Sequence, residues 1–233
     1  MKGVWVKKRK TWVSTLVLVA VVVAALVWQA DELLGPADSA ASPTPPVPAG
    51  SGPPGIPDGD TAKSHLAELA VAPDGSMAGY DREKFPHWSS QGDNCNTREV
   101  VLERDGTDVK AGENCAPTSG TWYSAYDGAT WSDPADLDID HVVPLAAAWR
   151  SGASGWTDDR RGDFANDLDG PQLIAVTDNV NQEKGDKSPD QWKPPSVSYW
   201  CTYASMWVTV KHKWELTISD MEQTALTSML GRC

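Results

Sequence analysis

The stretch "DLDIDHVVPL", residues 136–145, decides the reading of this chain. Asp136, Asp138 and Asp140 alternate with Leu137 and Ile139. Period-two alternation predicts a strand with an apolar face and an acidic face. His141 follows the last carboxylate directly. The aspartates at alternate positions also match the opening of an EF-hand loop. That loop needs glycine at position six and glutamate at position twelve, where His141 and Ala147 stand, so the match fails.

Working outward, "LIAVT" (residues 173–177) predicts a buried strand, and "DNVNQEKGD" predicts a helix capped by Thr177 or Asp178. Toward the C-terminus, Tyr199, Tyr203, Trp207, Val210 and Trp214 recur at helical spacing. A second helix opens with Ser219, has Glu222 as its capping-box partner, and ends at Gly231. Antiparallel packing of these helices would bring Cys201 beside Cys233. Between Cys95 and Cys115, the dipeptide Asp105-Gly106 reads as a hairpin turn that would let that pair meet. "TAKSHLAELAVAP" reads as a short helix stopped by Pro73.

The chain opens basic, with "MKGVWVKKRK", followed by an uncharged apolar run from Trp12 to Trp28. Residues 1–30 therefore read as a signal-anchor, preferred to a cleaved signal peptide because Trp28 spoils a cut after Ala30. Either reading exports the remainder, leaving it on the cell surface or free outside the cell. Residues 31–60 hold eight prolines and five glycines from position 35 onward and read as an extended tether. Residues 61–233 are then the folded domain. The net charge of -12 lies in that domain, because the first 60 residues are neutral. So acidic a domain argues against tight phosphate binding through counterion release, which needs a basic face. It leaves room for a nuclease in which a divalent cation supplies the local positive charge. Nine of the twelve tryptophans lie between Trp88 and Trp214 and are expected to pack the core and its grooves.

The order "DIDHVVPL", a strand, then "NQEKGD" resembles the HNH endonucleases of the ββα-metal fold. Together with "YDREKFPHW", "CNTREVVLERDG", "GTWYSAYDGATW", "FANDLDGPQLIAV" and "NQEKGDKSPDQWKPP", it is similar to one branch. That branch is the secreted bacterial HNH family related to the C-terminal domain of GmrSD-type restriction enzymes. The likeness runs from about Tyr80 to Cys233.

The resemblance implies an α+β fold with a ββα-metal core among extra helices. It implies hydrolysis of DNA, with RNA as a second candidate, at low sequence specificity, leaving 5′-phosphates. The implied cofactor is Mg²⁺ or another divalent cation such as Mn²⁺. His141 is the implied general base, with Asp140 and Asn181 as metal ligands. A neutral imidazole accepts a proton near pH 7, and oxygen donors suit a hard cation. Gln172, ranked ahead of Asn166, is the candidate for orienting the base. Arg98 and Lys184 are candidate phosphate contacts; surface pairing and capping of the helix C-terminus are their plainer roles. Asp186 is expected to brace its loop, and His65, His87 and His212 to be structural. No protein partner is implied. Two other readings fit parts of the sequence: a non-catalytic binding module displayed on a stalk, and a metal-dependent hydrolase of another extracellular phosphodiester.

Overall fold

The computed structural model describes residues 52–233. The expected signal-anchor and most of the expected tether lie outside the described residues. Within those residues no helix is long and apolar enough to cross a membrane.

The fold is α+β. Its helices are α1 (Gly59–Glu68), α2 (Thr97–Asp105), α3 (Leu145–Arg150), α4 (Asp158–Ala165), α5 (Asp178–Lys184), α6 (Trp200–Lys213) and α7 (Asp220–Leu230). Three small antiparallel sheets stand among them. The first pairs β1 (Ser90–Gly92) with β2 (Cys95–Asn96). The second has the order β3 (Gly106–Ala111), β4 (Pro117–Tyr123), β5 (Thr130–Trp131). The third pairs β6 (Leu137–His141) with β7 (Leu173–Thr177).

The β6–β7 sheet is the centre of the fold. Its register runs from Leu137 opposite Thr177 to His141 opposite Leu173. The alternation read from the sequence is realised. Leu137, Ile139, Leu173 and Ala175 face a small core with Val101 and Leu102 of α2 and Trp122 of β4. Ile174 and Val176 belong to the larger core, which includes Tyr126, Tyr203 and Trp207. Helix α5 follows β7 immediately and packs on both strands, which gives the strand–strand–helix unit.

One local expectation fails. The segment after Cys95 is a helix, not the arm of a hairpin. The Asn96 side chain accepts hydrogen bonds from the amides of Arg98 and Glu99, and the Glu99 carboxylate accepts one from the Asn96 amide at 2.6 Å. This capping box starts α2, and burial of Val101 and Leu102 holds it. Gly106 is the helix C-cap. A Cβ there would stand 2.5 Å from Nε1 of Trp122, so the residue is set by close approach rather than by a turn. The hairpin lies further on, between β3 and β4. Helix and strand run out and back, so Cys95 still meets Cys115, with Cα atoms 5.1 Å apart.

The C-terminal helices follow the sequence reading. Ser219 and Glu222 form the capping box of α7, and Cys201 pairs with Cys233. The sequence did not mark Lys211, which lies in the polar run "VKHKW" yet is buried. Its ammonium donates to Glu222 Oε2 at 2.9 Å, Ser151 Oγ at 2.9 Å and the Thr217 carbonyl at 2.8 Å. Trp207 Nε1 also donates to Glu222. One carboxylate thus caps α7, neutralises a cation and ties α6 to α7. Removing its charge leaves a buried ammonium uncompensated. Glu222→Gln should lower the unfolding free energy by about 3–5 kcal/mol, read as a drop in urea midpoint.

Candidate active site

Tyr80, Arg82, Ile139, Asp140, His141, Pro144, Asn181 and Asp186 help line a cavity of about 300 Å³ at the C-terminal end of β6. The cavity brings together Asp140, His141 and Asn181, which lie up to 41 positions apart in the chain.

His141 is buried at the last position of β6. Its Nε2 lies 2.9 Å from the Ala165 carbonyl. That carbonyl belongs to the last residue of α4, where helix carbonyls lack intrahelical partners and carry partial negative charge. An acceptor at this distance fixes the tautomer: Nε2 carries the proton and Nδ1 keeps a lone pair. Nδ1 has no hydrogen-bond partner among the described residues, and it is not sealed from solvent. The Trp88 ring stacks on the imidazole with centroids 5.5 Å apart and planes 16° apart. Burial, chiefly, pushes the imidazole pKa down to about 3; the Ala165 contact opposes this, and the Arg82 charge adds to it. The ring is therefore neutral near pH 7.

Asp140 points from β6 toward α5. Its Oδ1 accepts from Lys184 Nζ at 2.7 Å, and its Oδ2 accepts from the Tyr126 hydroxyl at 2.6 Å. Lys184 also donates to the His141 carbonyl at 2.9 Å. All three side chains are buried. Burial lifts the Asp140 carboxyl above its ordinary range, against the pull of Lys184, and lowers the Lys184 ammonium. Asn181, one turn earlier on α5, places its Nδ2 3.2 Å from Asp138 Oδ2.

The donor chemistry fits a hard divalent cation. All four cysteines are in disulfides, and the groups near Asn181 are carboxylate and carboxamide oxygens. Each oxygen of Asp140 keeps a second lone pair beyond its present bond. Lys184 already balances the charge of Asp140. Asp138 forms no ion pair among the described residues and supplies the uncompensated negative charge beside Asn181. No group of three or more His, Cys, Asp or Glu side chains among the described residues could hold an ion alone. An ion here would keep water in several positions, as magnesium does.

The remaining sequence candidates sit elsewhere. Gln172 makes no hydrogen bond to His141. Its amide donates to the Val143 carbonyl at 2.9 Å and accepts from the Val143 amide at 3.1 Å, bracing the loop after the histidine. Asn166 accepts from Ser89 N and Thr97 Oγ1 and donates to the Pro86 and Gly162 carbonyls, tying the Pro86–Thr97 segment to α4. The group that orients the imidazole is the main-chain carbonyl just before Asn166. No side-chain pattern marks a carbonyl. Arg98 donates to the carbonyls of Pro134 and Leu137, at 3.3 and 3.0 Å, as a strut from α2 to the start of β6 rather than a phosphate contact. Lys184 is buried against Asp140, so it neither reaches a phosphate nor caps its helix from solvent. Asp186 receives Arg150 and so ties the loop after α5 to α3. His65 and His212 stack at 4.2 Å, far from His141 in sequence and without a contact to it. His87 lies nearer, with its ring centroid 6.1 Å from that of His141. Tyr126, Trp88, Tyr80 and Arg82 are the neighbours that sequence spacing did not single out.

A family model described as GmrSD restriction endonucleases, C-terminal domain, matches residues 89–229. A secreted protein of Arthroderma benhamiae, itself described as uncharacterized, is 58% identical over 188 residues. The alignment covers 81% of this chain and 91% of the relative. This relative is fungal, so the likeness is not confined to bacteria. No solved structure matches the chain.

The His141 environment has a measurable consequence. The unfolded imidazole titrates near 6.5 and the folded one near 3. Between those values the unfolded chain binds more protons, so this contribution is intact above about 6.5 and is lost as pH falls toward 3. Denaturant midpoints at pH 7 and pH 5 should therefore converge in His141→Ala relative to the native chain. The slope removed is on the order of 1 kcal/mol per pH unit in the lower part of that window.

Proposed function

The chain belongs to the family of GmrSD restriction endonuclease C-terminal domains, and from that membership we propose that it is an exported, metal-dependent HNH endonuclease. Its substrate is DNA, with RNA as a second substrate, cut with low sequence preference. One observation carries the reading. A neutral histidine, held through Nε2 by a main-chain carbonyl, shares a cavity with an aspartate and an asparagine.

The chemistry follows from the residues. The lone pair at Nδ1 of His141 accepts the proton of a water that attacks the phosphorus. The forming charge on the ring is met by the Ala165 carbonyl at the end of α4. Trp88 fixes the ring plane, and Gln172 fixes the backbone that follows it. Asp140 and Asn181, with Asp138 adjacent, would hold a divalent cation; when bound, it would neutralise the phosphate and the leaving oxygen. Low sequence preference accords with the absence, among the described residues, of a helix or ribbon arrayed with basic side chains for reading a groove. Two disulfides and a secreted relative support export, because such bonds persist in oxidising compartments. The apolar run from Trp12 to Trp28 supports a membrane anchor.

Purified full-length chain should nick and linearise plasmid in magnesium and lose that activity in chelator. His141→Ala should cut at least about a hundredfold more slowly while keeping its far-UV circular dichroism. A variant that cuts as fast as the native chain would remove His141 as the base. Activity that survives chelation would remove the cation.

A further inference from the structure

Seven arginines lie among residues 52–233. Five of them, Arg98, Arg104, Arg150, Arg160 and Arg161, donate to carbonyls or carboxylates. Arg232 lies over the Trp200 ring, 4.8 Å from its centroid. Arg82 does neither: among the described residues its side chain has no hydrogen bond, ion pair or aromatic partner. It is exposed and is the one Arg or Lys among the residues that line the His141 cavity; Asp140 and Asp186, which also line it, have Lys184 and Arg150 as their partners.

The backbone beneath it is firmly placed. Arg82 opens a short 3-10 turn, Arg82–Lys84, capped by Asp81, whose side chain accepts from Glu83 N at 3.0 Å. Phe85 closes the turn and is wholly buried against Tyr80, Trp149 and Phe164. Arg161 donates to the Lys84 carbonyl at 2.9 Å, which pins the same turn to α4. The result is a fixed backbone turn carrying an unpaired guanidinium at the cavity that holds His141. This turn lies within "YDREKFPHW", just before residues 89–229 that the family model matches.

We propose that Arg82 is the phosphate-binding residue of this site, its guanidinium taking the non-bridging oxygens of the phosphodiester that His141 addresses. The proposal rests on the nuclease reading for the identity of the anion. A guanidinium suits the task because its planar fork meets two phosphate oxygens at once and stays charged at any working pH. In a chain of net charge -12 a polyanion is repelled at distance, so a single local cation at the cavity has unusual weight.

The test measures binding separately from cutting. A fluorescein-labelled oligonucleotide is titrated with full-length His141→Ala chain in calcium, at several salt concentrations. Adding Arg82→Ala should weaken binding about tenfold and reduce the slope of log K against log salt by about one. Arg82→Lys should keep the slope and lose part of the affinity. Lys63→Ala, which removes an exposed charge paired with Asp60, should change neither. The proposal is overturned if Arg82→Ala leaves affinity and slope at the parent values, or if the parent binds no oligonucleotide. Plasmid cutting by the native chain is scored in parallel. Binding that depends on Arg82 without any cutting would remove the hydrolytic reading and keep the phosphate contact. Cutting with binding indifferent to Arg82 would do the reverse.

Discussion

The contact between Lys184 and β6 is the constraint from which the site follows. One ammonium reaches both the Asp140 carboxylate and the His141 carbonyl. It thereby fastens the end of α5 to the end of β6. Asn181 sits one turn back on the same helix, so the amide and the histidine are placed by a single buried ion pair. Such a pair is costly to bury and costlier to break, because either partner left alone is an uncompensated charge. Tyr126 satisfies the other carboxylate oxygen and links the pair to the aromatic core. The pair therefore reads as a registration device between strand and helix.

A second feature sets the chemistry. The imidazole is oriented by the C-terminal carbonyl of a helix, not by an amide side chain. The acceptor carries partial charge and cannot rotate away, since it belongs to the backbone of α4. Asn166 and Gln172, which the family pattern puts forward for this role, hold the surrounding segments instead. Asn166 ties α4 to the strand-rich segment before α2, and Gln172 staples the loop after His141. Both still bear on the histidine through the backbone they fix. The site is thus assembled from three elements, β6, α4 and α5, and from the turn at Arg82 that closes one side of the cavity.

The acidity of the domain looks at odds with a polyanionic substrate until charges are followed to their partners. Most arginines serve as internal struts to carbonyls, and the two buried lysines neutralise buried carboxylates. Six of the eight lysines among the described residues stay outside the core, but none of them lines the cavity. On the proposed reading, local charge at the cavity, from Arg82 and from a cation that Asp138 and Asn181 would help hold, would then matter more than the net field.

The sequence by itself determined the local elements and put forward three residues that the fold brings to one cavity. Alternation fixed β6, the apolar run "LIAVT" fixed β7, and the Ser219–Glu222 box fixed the start of α7, because these patterns depend on near neighbours. It also named Asp140, His141 and Asn181, since residue type and order carry the family's signature. It misread Asp105-Gly106 as a turn, because the capping box at Asn96 and burial of Val101 and Leu102 outweigh a dipeptide preference. Tertiary structure alone decided that Lys184 and Lys211 turn inward, that a main-chain carbonyl holds the histidine, and that Arg82 looks into the cavity. The physical reason is common to all three. A charge finds its partner by distance in space, and a backbone carbonyl has no letter of its own in the sequence.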